Sequence, residues 1–453
     1  MKQVIRTLAV LLIPTVLFAS EVQPNVVLIM ADDLGYNDLS CYGSHEIDTP
    51  VLDQLATEGI RLTSFYAGCT ICTPSRMALL TGMYPVRCGW QGGVVGYGVK
   101  PQNGLSPQTT TIAEVYQRAG YTTALIGKWH LGDTAEHSPM VHGFDSAFFI
   151  NKSNNQTKKL WRGDTIVADP FDNRRLTERF TSEAIKFIEA KRDTPFFLYM
   201  PLSAPHFPAQ AHPDWANRTN LGAYGDVVEE MDSRIGMLLN TLTRLEIDDR
   251  TIVIFLSDNG VEPGQKQWAQ SKPFRGLKWS TLEGGNRVPC IIRWPGRIPA
   301  GTINDQLMAA IDLFPTLVSA CRLDTPDLKG VITNCDGVNI LDTLVKKHHR
   351  RHARRTLLFW HGWGTPQAIR INQWKLFFDG IPELPDSQKG PVLINLKDDP
   401  AEMTDLSQQY PQRVEEMLAT ARQKLSDMND HVVPLGGPKD SRAKVPATPK
   451  WLD

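Results

Sequence analysis

Four short apolar runs constrain this chain more than any other feature, because each ends in a polar cluster. Asn25-Val-Val-Leu-Ile-Met30 leads into Asp32 and Asp33, and Tyr121-Thr-Thr-Ala-Leu-Ile126 leads into Gly127, Lys128, Trp129 and His130. Phe196-Phe-Leu-Tyr-Met200 leads to Pro205 and His206, and Thr251-Ile-Val-Ile-Phe-Leu256 leads to Asp258 and Asn259. Such runs, separated by helical patterns at Thr111–Arg118 and Phe180–Lys191, read as strands of an α/β domain with a large, mainly parallel sheet flanked by helices. In an open sheet of that kind the carboxyl ends of parallel strands share one rim, where ligands bind. The four clusters are expected to converge there.

Apolar side chains at 42% and charged ones at 21% suit a chain that buries a core, which excludes disorder, collagen and coiled coil. With 48 basic and 49 acidic residues the net charge is −1, so no global field favours nucleic acid or an anionic membrane. Residues 1–20 carry Lys2 and Arg6 ahead of an apolar run from Leu8 to Phe18 that Pro14 interrupts, the form of a secretory signal. That run falls short of the roughly 20 residues a bilayer span needs. The expectation is an exported protein without a stable membrane anchor, periplasmic or extracellular, or lysosomal or secretory in a eukaryote.

The basic run Lys346–Arg355 reads as a linker between a larger domain, 21–345, and a smaller one, 346–453. In the smaller one, strand candidates at Leu357–Trp360, Ala368–Ile371, Trp374–Phe378 and Val392–Asn395 precede a helix with Val414, Met417, Leu418, Ala421, Leu425 and Met428 on one face. That order fits a small antiparallel sheet with one packed helix. Seven cysteines leave one over if the others pair. Cys321 and Cys335 bracket a polar loop, and a disulfide closing it would contribute roughly 3 kcal/mol.

Cys69-Thr-Ile-Cys72-Thr-Pro-Ser-Arg76 is the most informative stretch. As a C-x-x-C pair it reads as a disulfide or redox motif. Alternatively Thr73 caps a short helix with Pro74 at its first position and Gly82 at its end, which sets Cys72 at a helix N-terminus that favours anions. Asp32, Asp33, Asp258 and Asn259 offer only oxygens, a set for Ca²⁺, less well for Mg²⁺, and not for Zn²⁺. In isolation such pairs are most often turn or cap residues; two pairs at two strand ends favour the metal.

The chain resembles the type I sulfatases of the alkaline phosphatase superfamily. The resemblance rests on Cys72-Thr-Pro-Ser-Arg76 through Leu80-Thr-Gly82, Ala31-Asp-Asp-Leu-Gly35, Gly127-Lys-Trp-His-Leu-Gly132, Ser257-Asp-Asn-Gly260, Phe274-Arg-Gly-Leu-Lys278 before Glu283-Gly-Gly285, and Asn395-Leu-Lys-Asp-Asp-Pro-Ala-Glu402. It implies that a maturation enzyme converts Cys72 to Cα-formylglycine, which would account for the odd thiol. The residue would share a metal with Asp32, Asp33, Asp258 and Asn259. One hydroxyl of the hydrated aldehyde would attack sulfur, with Asp258 as a proton acceptor. Arg76 would orient this shell, Lys128 and Lys278 would hold sulfate oxygens, His206, with Lys278, would protonate the leaving alcohol, and His130 would serve breakdown of the sulfated intermediate.

Two residues depart from the family pattern, Asn37 and Asn286, and both bear on the substrate pocket. Competing readings are a phosphate or phosphonate ester hydrolase of the same superfamily and an inactive secreted glycan-binding protein. The substrate is read as a sulfated carbohydrate in preference to an aryl sulfate, with Trp360, His361, Trp363 and Arg370 of the smaller domain near the mouth of the site and Trp363 as the binding residue. Trp360 reads equally well as core.

Overall fold

The computed structural model describes residues 23–99, 103–323, 325, 334–346, 355–381 and 390–429. The signal-like segment, most of the basic run and the tail after Val433 lie outside them.

The four apolar runs form the strands Asn25–Ala31, Thr122–Lys128, Phe196–Pro201 and Thr251–Ser257. They are parallel neighbours: Asn25–Ala31 lies between Thr251–Ser257 and Phe196–Pro201, and Thr122–Lys128 follows on the far side of Phe196–Pro201. Ala31 pairs with Ser257, so Asp32 and Asp258 leave neighbouring strands at one level. These strands sit inside a ten-stranded mixed sheet. Ser146–Ile150 adds in parallel at one side, before the antiparallel Leu160–Arg162 and Thr165–Ala168. Cys290–Arg293, Ile60–Leu62 and Thr302–Asn304 complete the other side.

The central strands are buried on both faces, which is why they read as continuous apolar runs without alternation. Val26, Leu28 and Met30 face a layer that holds the helices Cys72–Thr81, Ile112–Arg118 and Leu313–Ala320. Val27 and Ile29 face Leu176–Lys191 and Gly222–Arg244 through Phe180, Ile188, Met231 and Ile235. Thr111 closes a capping box with Glu114, so the helix there begins where its sequence signals place it.

Toward the C-terminus, Thr356–Trp360, Pro366–Ile371, Trp374–Phe377 and Val392–Asn395 form a four-stranded antiparallel sheet, followed by the helix Pro411–Asn429. Phe359, Ile369, Leu376, Met417 and Ala421 join the same apolar cluster as Met77 and Leu80. The small sheet thus packs directly on the layer that holds the Cys72–Thr81 helix. Among the described residues no helix is long and apolar enough to cross a membrane.

The expected Cys321–Cys335 bridge is absent. Cys321 Sγ lies 3.2 Å from the Tyr116 hydroxyl, and Cys335 Sγ lies 3.6 Å from the Gly337 carbonyl, so each sulfur faces its own oxygen. No disulfide joins the seven cysteines, and their odd number therefore says nothing about Cys72.

Candidate active site

The four polar clusters do meet on the carboxyl rim. Asp32, Asp33, Asp258 and Asn259 are fully buried. The Asp33 amide donates to Asp258 Oδ1 at 3.1 Å, and Asn259 Nδ2 donates to Asp33 Oδ1 at 2.7 Å, which ties the two strand ends together. Asp33 sits at φ 67° and His130 at φ 58°, left-handed conformations that non-glycine residues seldom adopt. The motif glycines are explained by close approach. A Cβ on Gly260 would stand 1.8 Å from the Gly284 carbonyl, so the Asp-Asn-Gly strand end and the Glu-Gly-Gly turn meet backbone to backbone.

Cys72 opens the helix Cys72–Thr81, and Gly82 ends it in a left-handed conformation with its amide on the Ala78 carbonyl. Thr73 is not the cap. Its hydroxyl donates to the His130 carbonyl at 2.9 Å and accepts the Val95 amide at 3.0 Å, so it clamps two loops to the helix start. The Cys72 thiol stands 3.4 Å from Asp32 Oδ1 and 3.9 Å from Asp33 Oδ1. Asp32, Asp33, Cys72 and His206 offer ligand atoms all within 4.8 Å of one another. Asp258 and Asn259 join that set through Asp33, and Asn259 Oδ1 is buried with no hydrogen-bond partner.

Three cations neutralise the three carboxylates. Lys128 Nζ is 2.6 Å from Asp32, Lys278 Nζ is 2.8 Å from Asp33, and an Arg76 guanidinium nitrogen is 2.7 Å from Asp258. Arg76 also donates to the Lys128 carbonyl at 3.0 Å. Burial works to raise Asp32, but the charges of Lys128, Arg76 and Lys278 outweigh it and hold the carboxyl well below its usual range. Burial wins at Asp258, with repulsion from Asp32, and lifts it to about 7. Burial also pushes the Cys72 thiol well above its ordinary value, against the pull of Lys128 and Lys278.

The two histidines are held in opposite senses. His206 Nδ1 faces two acceptors, Asn154 Oδ1 at 2.9 Å and the Phe207 carbonyl at 2.6 Å, so it carries the proton and Nε2 turns to the site, 3.7 Å from Asp33. His130 Nε2 faces the Val95 carbonyl at 2.9 Å and Gln156 Oε1 at 3.2 Å, while its Nδ1 is buried with no hydrogen-bond partner. His130 Nδ1 is therefore a lone pair in position to accept a proton. Burial, before any charge effect, lowers both rings, His206 to about 3, so both are neutral here.

The sequence reading missed the residues that orient these groups. Asn154 and Gln156 fix the histidine tautomers, and Glu262 pairs with Lys278 at 3.0 Å. Single polar residues in loops carry no motif that would have singled them out. Of the residues read as lying near the mouth, Trp360 is core at 2% exposure and Trp363 is 47% exposed. Arg370 is buried against Tyr66 and the Asn372 carbonyl, so its guanidinium is committed inside the protein. Asn37 and Asn286 likewise close their own loops, through the Tyr42 carbonyl and the Ser280 carbonyl, and their departures from the family pattern are local.

Comparison with known proteins agrees with this geometry. The family described as Sulfatase matches residues 24–322, and the one described as N-sulphoglucosamine sulphohydrolase, C-terminal, matches residues 278–431. The chain is 34% identical to N-acetylgalactosamine-6-sulfatase of Sus scrofa, over 78% of this chain and 72% of that protein. It is 31% identical to Arylsulfatase G of Rattus norvegicus, over 90% and 88% respectively. The PsFucS1 sulfatase from Pseudoalteromonas sp. superposes with a TM-score of 0.82 at 26% identity, covering 91% of this chain and 92% of that one. Ps i-CgsB in complex with k-i-k-neocarrahexaose gives 0.78 at 28% identity, with 91% and 95% covered. The fold, the converging rim and these matches together assign the chain to the sulfatase family, as a sulfuric ester hydrolase.

Proposed function

We propose that this sulfatase hydrolyses sulfate monoesters of carbohydrates, with Cys72 converted by a maturation enzyme to Cα-formylglycine and one calcium ion held by Asp32, Asp33, residue 72, Asp258 and Asn259. The observation that carries the reading is the place of residue 72, at the first turn of a buried helix and within 3.9 Å of both Asp32 and Asp33. A thiol whose ionisation burial opposes this strongly is a poor nucleophile at neutral pH. Formylglycine at position 72 would supply, as its hydrate, the nucleophilic oxygen and the second hydroxyl needed to release sulfate, with Asp32 and Asp33 beside it.

The donors suit a hard cation: oxygens predominate, and the orphaned Asn259 Oδ1 is a ligand atom in waiting. The three cations offset Asp32, Asp33 and Asp258, and with Glu262 beside Lys278 counted as well a divalent ion still leaves the pocket net positive toward an anionic ester. Lys128 and Lys278 hold sulfate oxygens, and Arg76 fixes Asp258 and the Lys128 backbone. His206, in the form protonated at both ring nitrogens, gives the Nε2 proton to the leaving oxygen together with Lys278. His130 Nδ1 accepts the proton that releases sulfate.

Carbohydrate sulfates are favoured because one relative is named N-acetylgalactosamine-6-sulfatase and one structural neighbour was solved with a neocarrahexaose. Export is part of the reading and rests on the form of residues 1–20. The test is sulfate release by matured enzyme from sulfated sugars and from 4-nitrophenyl sulfate, before and after chelation. Turnover of the aryl ester with none of the sugars cleaved would refute the carbohydrate assignment.

A further inference from the structure

Three aromatic side chains from distant parts of the sequence meet beside the site. Trp279 and Trp363 have ring centroids 5.2 Å apart, Tyr97 lies 5.6 Å from Trp363, and Tyr97 lies 6.3 Å from Trp279. Tyr97 is 58% and Trp363 47% exposed, and Trp279 is half-buried beneath them. Isolated exposed aromatics need no explanation, but a cluster of three does.

Each ring is anchored to the catalytic groups through its own segment. Trp279 follows Lys278, and its amide donates to the Thr70 carbonyl at 3.0 Å, two residues before Cys72. Tyr97 belongs to the loop whose Val95 amide bonds Thr73 and whose Val95 carbonyl faces His130. Trp363 belongs to the first turn of the C-terminal sheet, which the Gly93 amide joins through the Gly362 carbonyl at 2.8 Å. The packing leaves no room for side chains. A Cβ on Gly98 would meet the Trp363 ring at 2.7 Å, and one on Gly362 would meet the Trp279 ring at 2.3 Å.

We infer that Tyr97, Trp279 and Trp363, whose ring planes meet at 31° to 89°, form one angled aromatic platform whose exposed rings pack on the C–H face of a sugar ring of the alcohol part of the ester. The inference rests on the carbohydrate reading above and adds the specificity-determining residues. The openness of the platform selects the ligand. A sterol or other wholly apolar leaving group needs enclosure on all sides, whereas a pyranose offers an apolar C–H face to the rings and keeps its hydroxyl rim in water, as an open surface requires. Because the platform joins the large domain to the turn of the small sheet, it also gives that sheet a part in substrate choice.

The test compares matured wild type with Tyr97→Ala and Trp363→Ala on singly sulfated galactose, N-acetylgalactosamine, glucosamine and fucose oligosaccharides and on 4-nitrophenyl sulfate. For the sugar that the wild type prefers, the ratio of its kcat/KM to that of the aryl ester is expected to fall about tenfold in either variant, through KM. The double variant should lose less than the product of the two single losses, since the rings act as one surface. Equal losses on sugar and aryl ester, or a sugar KM that does not move while melting temperatures match, would overturn the platform and leave the carbohydrate reading standing. A wild type that cleaves the aryl ester and no sugar would overturn both.

Discussion

Lys375→Met should destabilise the protein by about 3 kcal/mol, the lower end of what breaking a buried ion pair costs. Lys375 is fully buried on the strand Trp374–Phe377. Its ammonium stands 3.0 Å from Glu283 and 2.8 Å from Glu402, and it donates to the Thr281 carbonyl at 2.7 Å. Burial opposes the charge on Glu283, but Lys375, Arg287 and Arg370 outweigh it and hold that carboxyl at about 2, while burial lifts Glu402 to about 7. The variant leaves Glu283 with Arg287 at 3.2 Å and lets Glu402 take a proton, hence the lower figure. Urea unfolding at pH 7 should show an earlier midpoint with an unchanged slope. The sign with pH follows from linkage. The stabilisation from Glu283 is present above its unfolded value near 4.5 and is lost as pH falls through about 2. The gap between wild type and variant should therefore narrow on acidification, and adding Glu402→Gln should recover part of it. A loss under about 1 kcal/mol, the range of a surface pair, or a gap that widens toward acid, would refute the reasoning.

If the proposed metal site holds, Asp258→Asn should lower both bound divalent metal and turnover while the fold persists, measured by metal analysis and circular dichroism; full turnover with confirmed loss of metal would contradict the ligand set. His206→Ala should lose far more rate on a sugar sulfate than on an aryl sulfate with an acidic phenol, since the better leaving group needs less protonation; equal losses would remove His206 from that role. Asp38 accepts bonds from Tyr224, Gly35 and Gln270, yet burial lifts it to about 7 from an ordinary 3.8, so the folded state keeps its proton longer than the unfolded one and stability falls as pH rises between those values. Asp38→Asn should gain on wild type in melting temperature over that window, and a constant difference would contradict it.

The central strands were legible because burial on both faces leaves an unbroken apolar run, and their polar ends were legible because the parallel rim gathers them. Cys72, Arg76, Lys128, His130 and Lys278 stand in motifs with fixed offsets, and His206 at the polar end of an apolar run. What stayed hidden depends on contacts between distant segments. Thr73 reads as a cap, and only the fold shows its hydroxyl spanning to His130 and Val95. Arg370 reads as a surface ligand on a strand, whereas the layer beneath that strand turns it inward onto Tyr66. The loop between Cys321 and Cys335 has a length suited to a bridge, but spacing says nothing of where each sulfur points.

The most direct measurement is mass spectrometry of the tryptic peptide Leu62–Arg76 from enzyme made with a formylglycine-generating partner, paired with its specific activity on a sulfate ester. That peptide holds both Cys69 and Cys72. The predicted result is an aldehyde at position 72 and an intact thiol at 69, with activity proportional to the converted fraction and abolished by Cys72→Ala. Full activity from protein with thiols at both positions, or joined as a disulfide, would contradict it.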